Sequence, residues 1–182
     1  MGAGGPSGGG GPGFMGRGGG NGQGRWNLSL YHTVRFTDTA TIAHGVPRLD
    51  LLGGDALSVG GVARHNLELE GGVFHKGLGL RVSGTWKAPV TVRTTSTAGN
   101  SDLRFGSTAV VNLRAFVNFD QMEQLVKQVP FLKGSRLALT VDNLFDSRQK
   151  VTDAQGIVPL AYQADYRDPR GRVIGIDFRK MF

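Results

Sequence analysis

Residue types that perform chemistry are sparse in this sequence. Its four histidines are His32, His44, His65 and His75, and no two of them fall at the spacing of a recognised metal-ligand motif. They are therefore read as strand-interface or loop residues. Glu68 and Glu70 share one strand face, but a carboxylate pair needs an accompanying nucleophile or base to do acid–base work, and none stands nearby. The pair reads as a charge ladder on a polar face. The Gly53-Gly54 and Gly60-Gly61 pairs precede neither a helix nor a Lys-Ser/Thr step, so they are loop punctuation and not phosphate cradles. With 0 cysteines, a disulfide framework and a thiolate zinc site are both excluded. No catalytic, cofactor-binding or metal-ligating residue is expected, and the chain is not expected to be an enzyme.

Charge gives no sharper lead. The formal net charge is +7, which would suit an anionic partner if the basic residues were gathered together. They are scattered singly along the chain, so the sequence carries a general bias and no nucleic-acid partner is expected. A lone Arg17 among glycines is too little for an Arg-Gly RNA-binding repeat.

The elements that must position any function divide at residue 24. Of the 30 glycines, 14 lie within positions 1–24, and this Gly/Pro-rich stretch has too little apolar surface to offset its ordering entropy. It is expected to be a disordered linker, with residues 25–182 as the folded part. No run reaches the roughly 18 apolar residues of a membrane helix, and Met1 opens no basic-then-apolar signal segment. The expectation is either a removed leader or a chain whose N-terminus lies upstream.

From Arg25 onward the dominant period is two. Trp26, Leu28, Leu30, His32, Val34 and Phe36 alternate with Asn27, Ser29, Tyr31, Thr33 and Arg35. Leu67, Leu69, Gly71 and Val73 alternate with Asn66, Glu68, Glu70 and Gly72, and Leu78, Leu80, Val82 and Trp86 with Gly79, Arg81, Ser83 and Thr85. A tight turn at His75-Lys76 would pair Phe74 with Gly77, Val73 with Leu78, Leu69 with Val82, and Glu70 with Arg81 on the polar face. Val111, Leu113, Val117 and Phe119 mark a fourth strand, Leu137, Leu139 and Val141 a fifth, and Ile174, Ile176 and Phe178 a sixth that leads to Phe182. Residues 121–129 alone could make a helical turn or two before Pro130. The expected fold is all-β and antiparallel, up-and-down, with about six strands of the length that suits a tilted transmembrane strand. Six strands leave an open, curved sheet.

Connection lengths carry a second signal. Residues 37–63, 97–107 and 146–171 form long loops, and the 75–76 turn is short. This alternation suits outer-membrane barrels, although the 120–135 connector breaks it.

The later residues resemble the C-terminal end of a TonB-dependent outer-membrane receptor. The segment Pro130 to Ser147 is similar to that family's late strand ending in an Asn-Leu-Phe-Asp box, here Asn143, Leu144, Phe145 and Asp146. Asp168, Pro169, Arg170, Gly171 and Arg172 then precede a closing amphipathic strand that stops on Phe182. The resemblance spans about Arg25 to the end. It implies that Ile174, Ile176, Phe178 and Phe182 carry the signal read by the barrel-assembly machinery. Lys180 stands where an apolar residue is usual, an exchange that snorkelling at the interface permits. It further implies a lipid-facing set of Leu28, Leu30, Leu67, Leu69, Leu78, Leu80, Val82, Val111, Leu113, Val117, Leu137, Leu139 and Val141, with Trp26, Trp86, Phe119 and Phe182 as an aromatic girdle.

The partners implied are outer-membrane lipid, the remaining strands and plug of a parent receptor, the barrel-assembly machinery, and TonB through that plug. The cargo implied is a scarce nutrient such as an iron–siderophore complex, and no cofactor is called for. Family barrels have 22 strands and a plugged lumen, so this chain supplies wall and assembly signal and is expected not to function alone. Its long loops would be extracellular and its Gly-rich tail periplasmic. The contrasting reading is a soluble β-sandwich or open-barrel binding module, whose outward faces would have to be polar.

Overall fold

In a computed structural model, the structure describes residues 24–57, 60–93, 102–167 and 170–181. In chain order the elements begin with β1 (Arg25–Val34), β2 (Thr39–Ala40), β3 (Leu49–Asp50), β4 (His65–His75) and β5 (Leu78–Lys87). They continue with β6 (Val90–Val92), β7 (Leu103–Phe105), β8 (Thr108–Asn118), α1 (Glu123–Gln128) and β9 (Ser135–Asp142). The last are β10 (Val151–Thr152), α2 (Ala164–Arg167) and β11 (Val173–Lys180). Six strands form one antiparallel sheet in the order β1-β4-β5-β8-β9-β11. The expected all-β open sheet is what the chain forms. Among the described residues β1 and β11 are each paired on one side only.

Because side chains alternate along a strand, the register assigns every sheet residue to a face. Leu28, Gly71, Val82, Leu113, Val141 and Ile174 stand side by side across all six strands. Trp26, Val73, Leu80, Ala115, Leu139 and Ile176 form the neighbouring row. Asn27, Glu70, Ser83 and Arg114 belong to the opposite face. The period-two signal therefore persists as one largely apolar surface, with the sheet's charged and amide side chains concentrated on the other.

The hairpin between β4 and β5 corrects the sequence expectation by two residues. His75 pairs with Leu78, Phe74 with Gly79, Val73 with Leu80, Gly72 with Arg81 and Glu70 with Ser83. The turn is Lys76-Gly77, not His75-Lys76, because a two-residue hairpin of type I′ needs positive φ at both central positions, and Lys76 has φ 45° and Gly77 φ 85°. Slippage by two keeps every residue on its face, so the alternation could not reveal it. On its other side Gly79 pairs with Phe116 of β8, whose ring covers it where a Cβ would stand. The first strand is shorter than expected, ending at Val34 with Phe36 beyond it.

The connector between β8 and β9 holds the short helix anticipated before Pro130. Asn118 Oδ1 accepts the Asp120 N–H at 3.2 Å, and α1 ends at Gln128 because a residue preceding proline avoids the helical region. Val129 accordingly sits at φ −129°, ψ 83°.

Packing is unusual in its location. Apart from Ala138 and Val141 on β9, the buried apolar side chains lie not on the large sheet but among the long connections at one end of it. There β10, β7 and β6 make a second, three-stranded sheet. Val92, Phe105 and Val151 form its core with Ala56, Val90, Leu103 and Tyr162 against them. Phe105 meets Tyr162 edge-to-face at 5.7 Å, and Arg167 lies over the Phe105 ring at 5.2 Å. These connections are thus tied together rather than being plain loops, a correction to the sequence reading. The large sheet, by contrast, leaves its apolar face bare: Leu28 is 65% exposed and Ile176 76%.

Candidate functional site

The bare apolar face is the feature to be explained. Five rows of side chains cross it. At the hairpin end stand Leu78, Val117, Leu137 and Phe178, and at the far end His32, Leu67, Trp86 and Ala109. Between them, Leu30, Leu69, Gly84 and Val111 complete the set. Every residue in the lipid-facing list given above lies on this one face, but Val141 is buried there rather than exposed, a departure from the expectation. Four row-to-row steps of two residues span about 27 Å along the strands, or about 20 Å of height at a 40° tilt, close to the roughly 25 Å apolar band of a membrane barrel. Trp26 and Trp86 fall toward opposite ends of the face. Phe119 lies in a turn of 3-10 helix outside the strands, and Phe182 lies outside the described residues.

The opposite face is mixed rather than uniformly polar. Phe74 and Phe116 stack with centroids 6.0 Å apart, and the Arg136 guanidinium lies 4.4 Å over the Phe116 ring. Sequence alternation alone missed this aromatic island, since Phe74 and Phe116 occupy positions where polar residues were expected.

The Asn-Leu-Phe-Asp box proves to be a latch that holds β11. Asn143, at φ 52°, is buried and clasps Ser147 in both directions: Asn143 Nδ2 donates to the Ser147 carbonyl at 3.0 Å and Ser147 N–H donates to Oδ1 at 2.8 Å. Its own N–H donates to Asn112 Oδ1 at 2.9 Å, and Leu144 N–H donates to the Val111 carbonyl at 2.7 Å. Both bonds tie the box to β8. Asn tolerates the left-handed conformation that most residues avoid, which is why the turn begins there. Phe145 is left exposed.

Asp146, also left-handed at φ 53°, accepts the Arg172 N–H at 3.1 Å and pairs with Arg148 Nε at 3.7 Å. Gly171 has φ 54°, and a Cβ there would collide with the Asp146 carboxylate. The two motifs that carried the resemblance, far apart in sequence, therefore meet in space at the entry to β11. Asp168 and Pro169 lie outside the described residues.

The closing strand is held at its other end by Lys180. This residue is on the apolar face, opposite Ser135, and its Nζ donates to the Phe131 and Lys133 carbonyls at 2.5 Å each. It also lies 4.9 Å over the Phe131 ring, which stacks on Phe178 at 6.4 Å. A lysine at an apolar position is accommodated by bending toward backbone carbonyls at the rim. Of the expected assembly-signal residues, Ile174, Ile176 and Phe178 project from the apolar face of β11.

Among the described residues no group of three or more His, Cys, Asp or Glu is placed to hold a metal. A basic hollow of about 320 Å³ opens where the long connections meet the sheet, lined in part by Arg35, Asn66, Lys87 and Arg167. Comparison with protein-family models, with curated proteins and with solved structures finds no match to this chain.

Proposed function

We propose that this chain forms part of the wall of an outer-membrane β-barrel of the TonB-dependent receptor type. Its apolar face meets lipid and its polar face lines a lumen filled by the receptor's plug. On this reading the parent receptor imports a scarce nutrient such as an iron–siderophore complex, powered through TonB acting on the plug. The chain itself supplies wall and the strand read by the barrel-assembly machinery. It performs no covalent chemistry and needs no cofactor.

The observation that carries the reading is the one-sided apolar surface running without a break across six antiparallel strands. In water such a surface would be an aggregation liability, whereas a membrane barrel wall requires it. The three longest connections gather at one end and the Lys76-Gly77 turn lies at the other, in keeping with long loops outside the cell and shorter turns in the periplasm.

The test uses the absence of native cysteine. A Cys replacing exposed Ile157, in the 143–172 connection, should react with a membrane-impermeant thiol reagent on whole cells. A Cys replacing exposed Glu123, in the 119–134 connector, should react only after lysis. The opposite pattern would reverse the orientation, and recovery of the protein in the soluble fraction without detergent would remove the membrane reading altogether.

A further inference from the structure

His32 and His65 are 33 positions apart, yet the β1–β4 register sets them on the same face as diagonal neighbours: His32 pairs with Leu67, and Val34 with His65. Their ring nitrogens face each other, His32 Nε2 to His65 Nδ1, across 3.2 Å. The ring centroids are 5.4 Å apart with planes inclined by only 22°, so the rings meet edge to edge and their in-plane lone-pair directions converge. Arg35 and Arg64, the nearest basic residues in sequence, have odd–even positions that place them toward the polar side, and the Arg35 guanidinium donates to the Ala63 carbonyl at 3.1 Å.

We propose that His32 and His65 together form a two-imidazole site for a divalent transition-metal ion, of the Cu²⁺ or Zn²⁺ class, at the long-connection rim of the apolar face. Imidazole nitrogens bind such ions at about 2.0–2.1 Å, so two of them stand about 3.3 Å apart at the tetrahedral angle of Zn²⁺ and about 2.9 Å apart at the right angle Cu²⁺ favours, values that bracket the observed separation and need only a small pivot of each ring. The ion sits off the line joining the nitrogens. The proton now shared between them returns to the far nitrogen of its own ring, so two neutral imidazoles each present a lone pair. The exposure of the pair leaves the remaining coordination positions to water. Cu²⁺ binds more tightly than Zn²⁺, following the usual order for nitrogen ligands. This inference rests on the β1–β4 register and the geometry of the two rings, and not on the membrane reading.

The structure supplies its own reporter. Leu67 lies between His32 and Trp86 on the same face, which puts Trp86 two strand spacings, about 10 Å, from the pair. The full chain in detergent carrying Trp26→Phe has Trp86 as its single tryptophan. Titrated with CuCl₂, its fluorescence should be quenched to saturation at one equivalent, and excess ZnCl₂ should reverse the quenching. Loss of one of two linked ligands should raise the midpoint by about 100-fold in His32→Asn and in His65→Asn, and a change below about threefold in either would overturn the proposal. His44→Asn and His75→Asn should leave the midpoint where it was. Should both single variants fail to fold, the Cu²⁺ electron paramagnetic resonance spectrum of the parent chain decides: coupling to two imidazole nitrogens supports the site, and coupling to one or none refutes it.

Discussion

Val82 and Ser83 are adjacent on β5 and point to opposite faces, so replacing each by arginine changes charge and bulk alike while changing only which surface receives them. Val82 stands in the middle of the five apolar rows, between Gly71 and Leu113. If that row lies near the bilayer midplane, Val82→Arg costs about 2–4 kcal/mol, a shift of about 30- to 700-fold in the folding equilibrium at 1.4 kcal/mol per tenfold. Ser83 lies opposite Glu70, and Ser83→Arg would place a cation across from that carboxylate, worth a few tenths of a kcal/mol in its favour. The assay is the fraction of protein that reaches the outer membrane in a folded, heat-modifiable form, measured in the barrel of which this chain would be part on the proposed reading. The expected result is a severe loss for Val82→Arg and near-normal assembly for Ser83→Arg. Equal damage from both would mean that both faces are buried and would refute a lipid-facing wall. Equal tolerance would mean that the Val82 face is in water.

Three further outcomes follow from the packing. Asp146→Ala removes the acceptor of the Arg172 N–H and one of two carboxylate partners of Arg148, the other being Asp165, and should cost about 1–3 kcal/mol, seen as faster amide exchange in β11 with β4 and β5 unchanged. Gly79→Ala drives a methyl into the Phe116 ring and should destabilise by about 1–3 kcal/mol; Phe116→Leu should relieve most of that cost in the double variant, and additivity of the two changes would argue against the contact. Lys180→Met removes two charge-assisted bonds to the Phe131 and Lys133 carbonyls and should loosen the connector, measured as increased proteolysis between α1 and β9, while leaving the apolar face more uniform.

The sequence revealed the faces of this sheet far better than its registers, and the reason is geometric. Alternation records which side a residue occupies, and sliding one strand by two residues alters no side. What fixes the β4–β5 register is local: the pair of positive φ angles at Lys76 and Gly77 that close the two-residue turn. An expected Glu70–Arg81 pairing was worth too little to outweigh it. The small core of Val92, Phe105 and Val151 was hidden for another reason. Its strands are only two or three residues long, too short to show a period. The proximity of His32 and His65 was invisible because it depends on register alone. The latch residues were legible as a motif, but their physical role emerged only when Asp146 was found beneath Gly171 and Arg172.

The two outer strands bear directly on the proposed wall. Along β1 and β11, alternate backbone N–H and C=O groups point away from the sheet, because each strand has a partner on one side only among the described residues. In hydrocarbon every such unsatisfied group costs several kcal/mol, so an open six-stranded sheet with a lipid-facing side cannot be the membrane-embedded end state. In water the edges would be solvated, but the bare Leu28, Leu30, Ile174 and Ile176 side chains would then be exposed beside them, a template for edge-to-edge association. Further strands pairing with β1 and β11 would satisfy both demands at once. The even strand number leaves β1 and β11 antiparallel to each other, so an up-and-down barrel can continue from either edge without a parallel join. Cross-linking offers a direct check: with Ser29→Cys on β1 and a second Cys scanned along the strand that would flank it in the proposed barrel, a mild added oxidant should close a disulfide between the two thiols, and a thiol at position 29 that stays reactive with every scanned partner after membrane assembly would show the edge unpaired and the wall reading wrong.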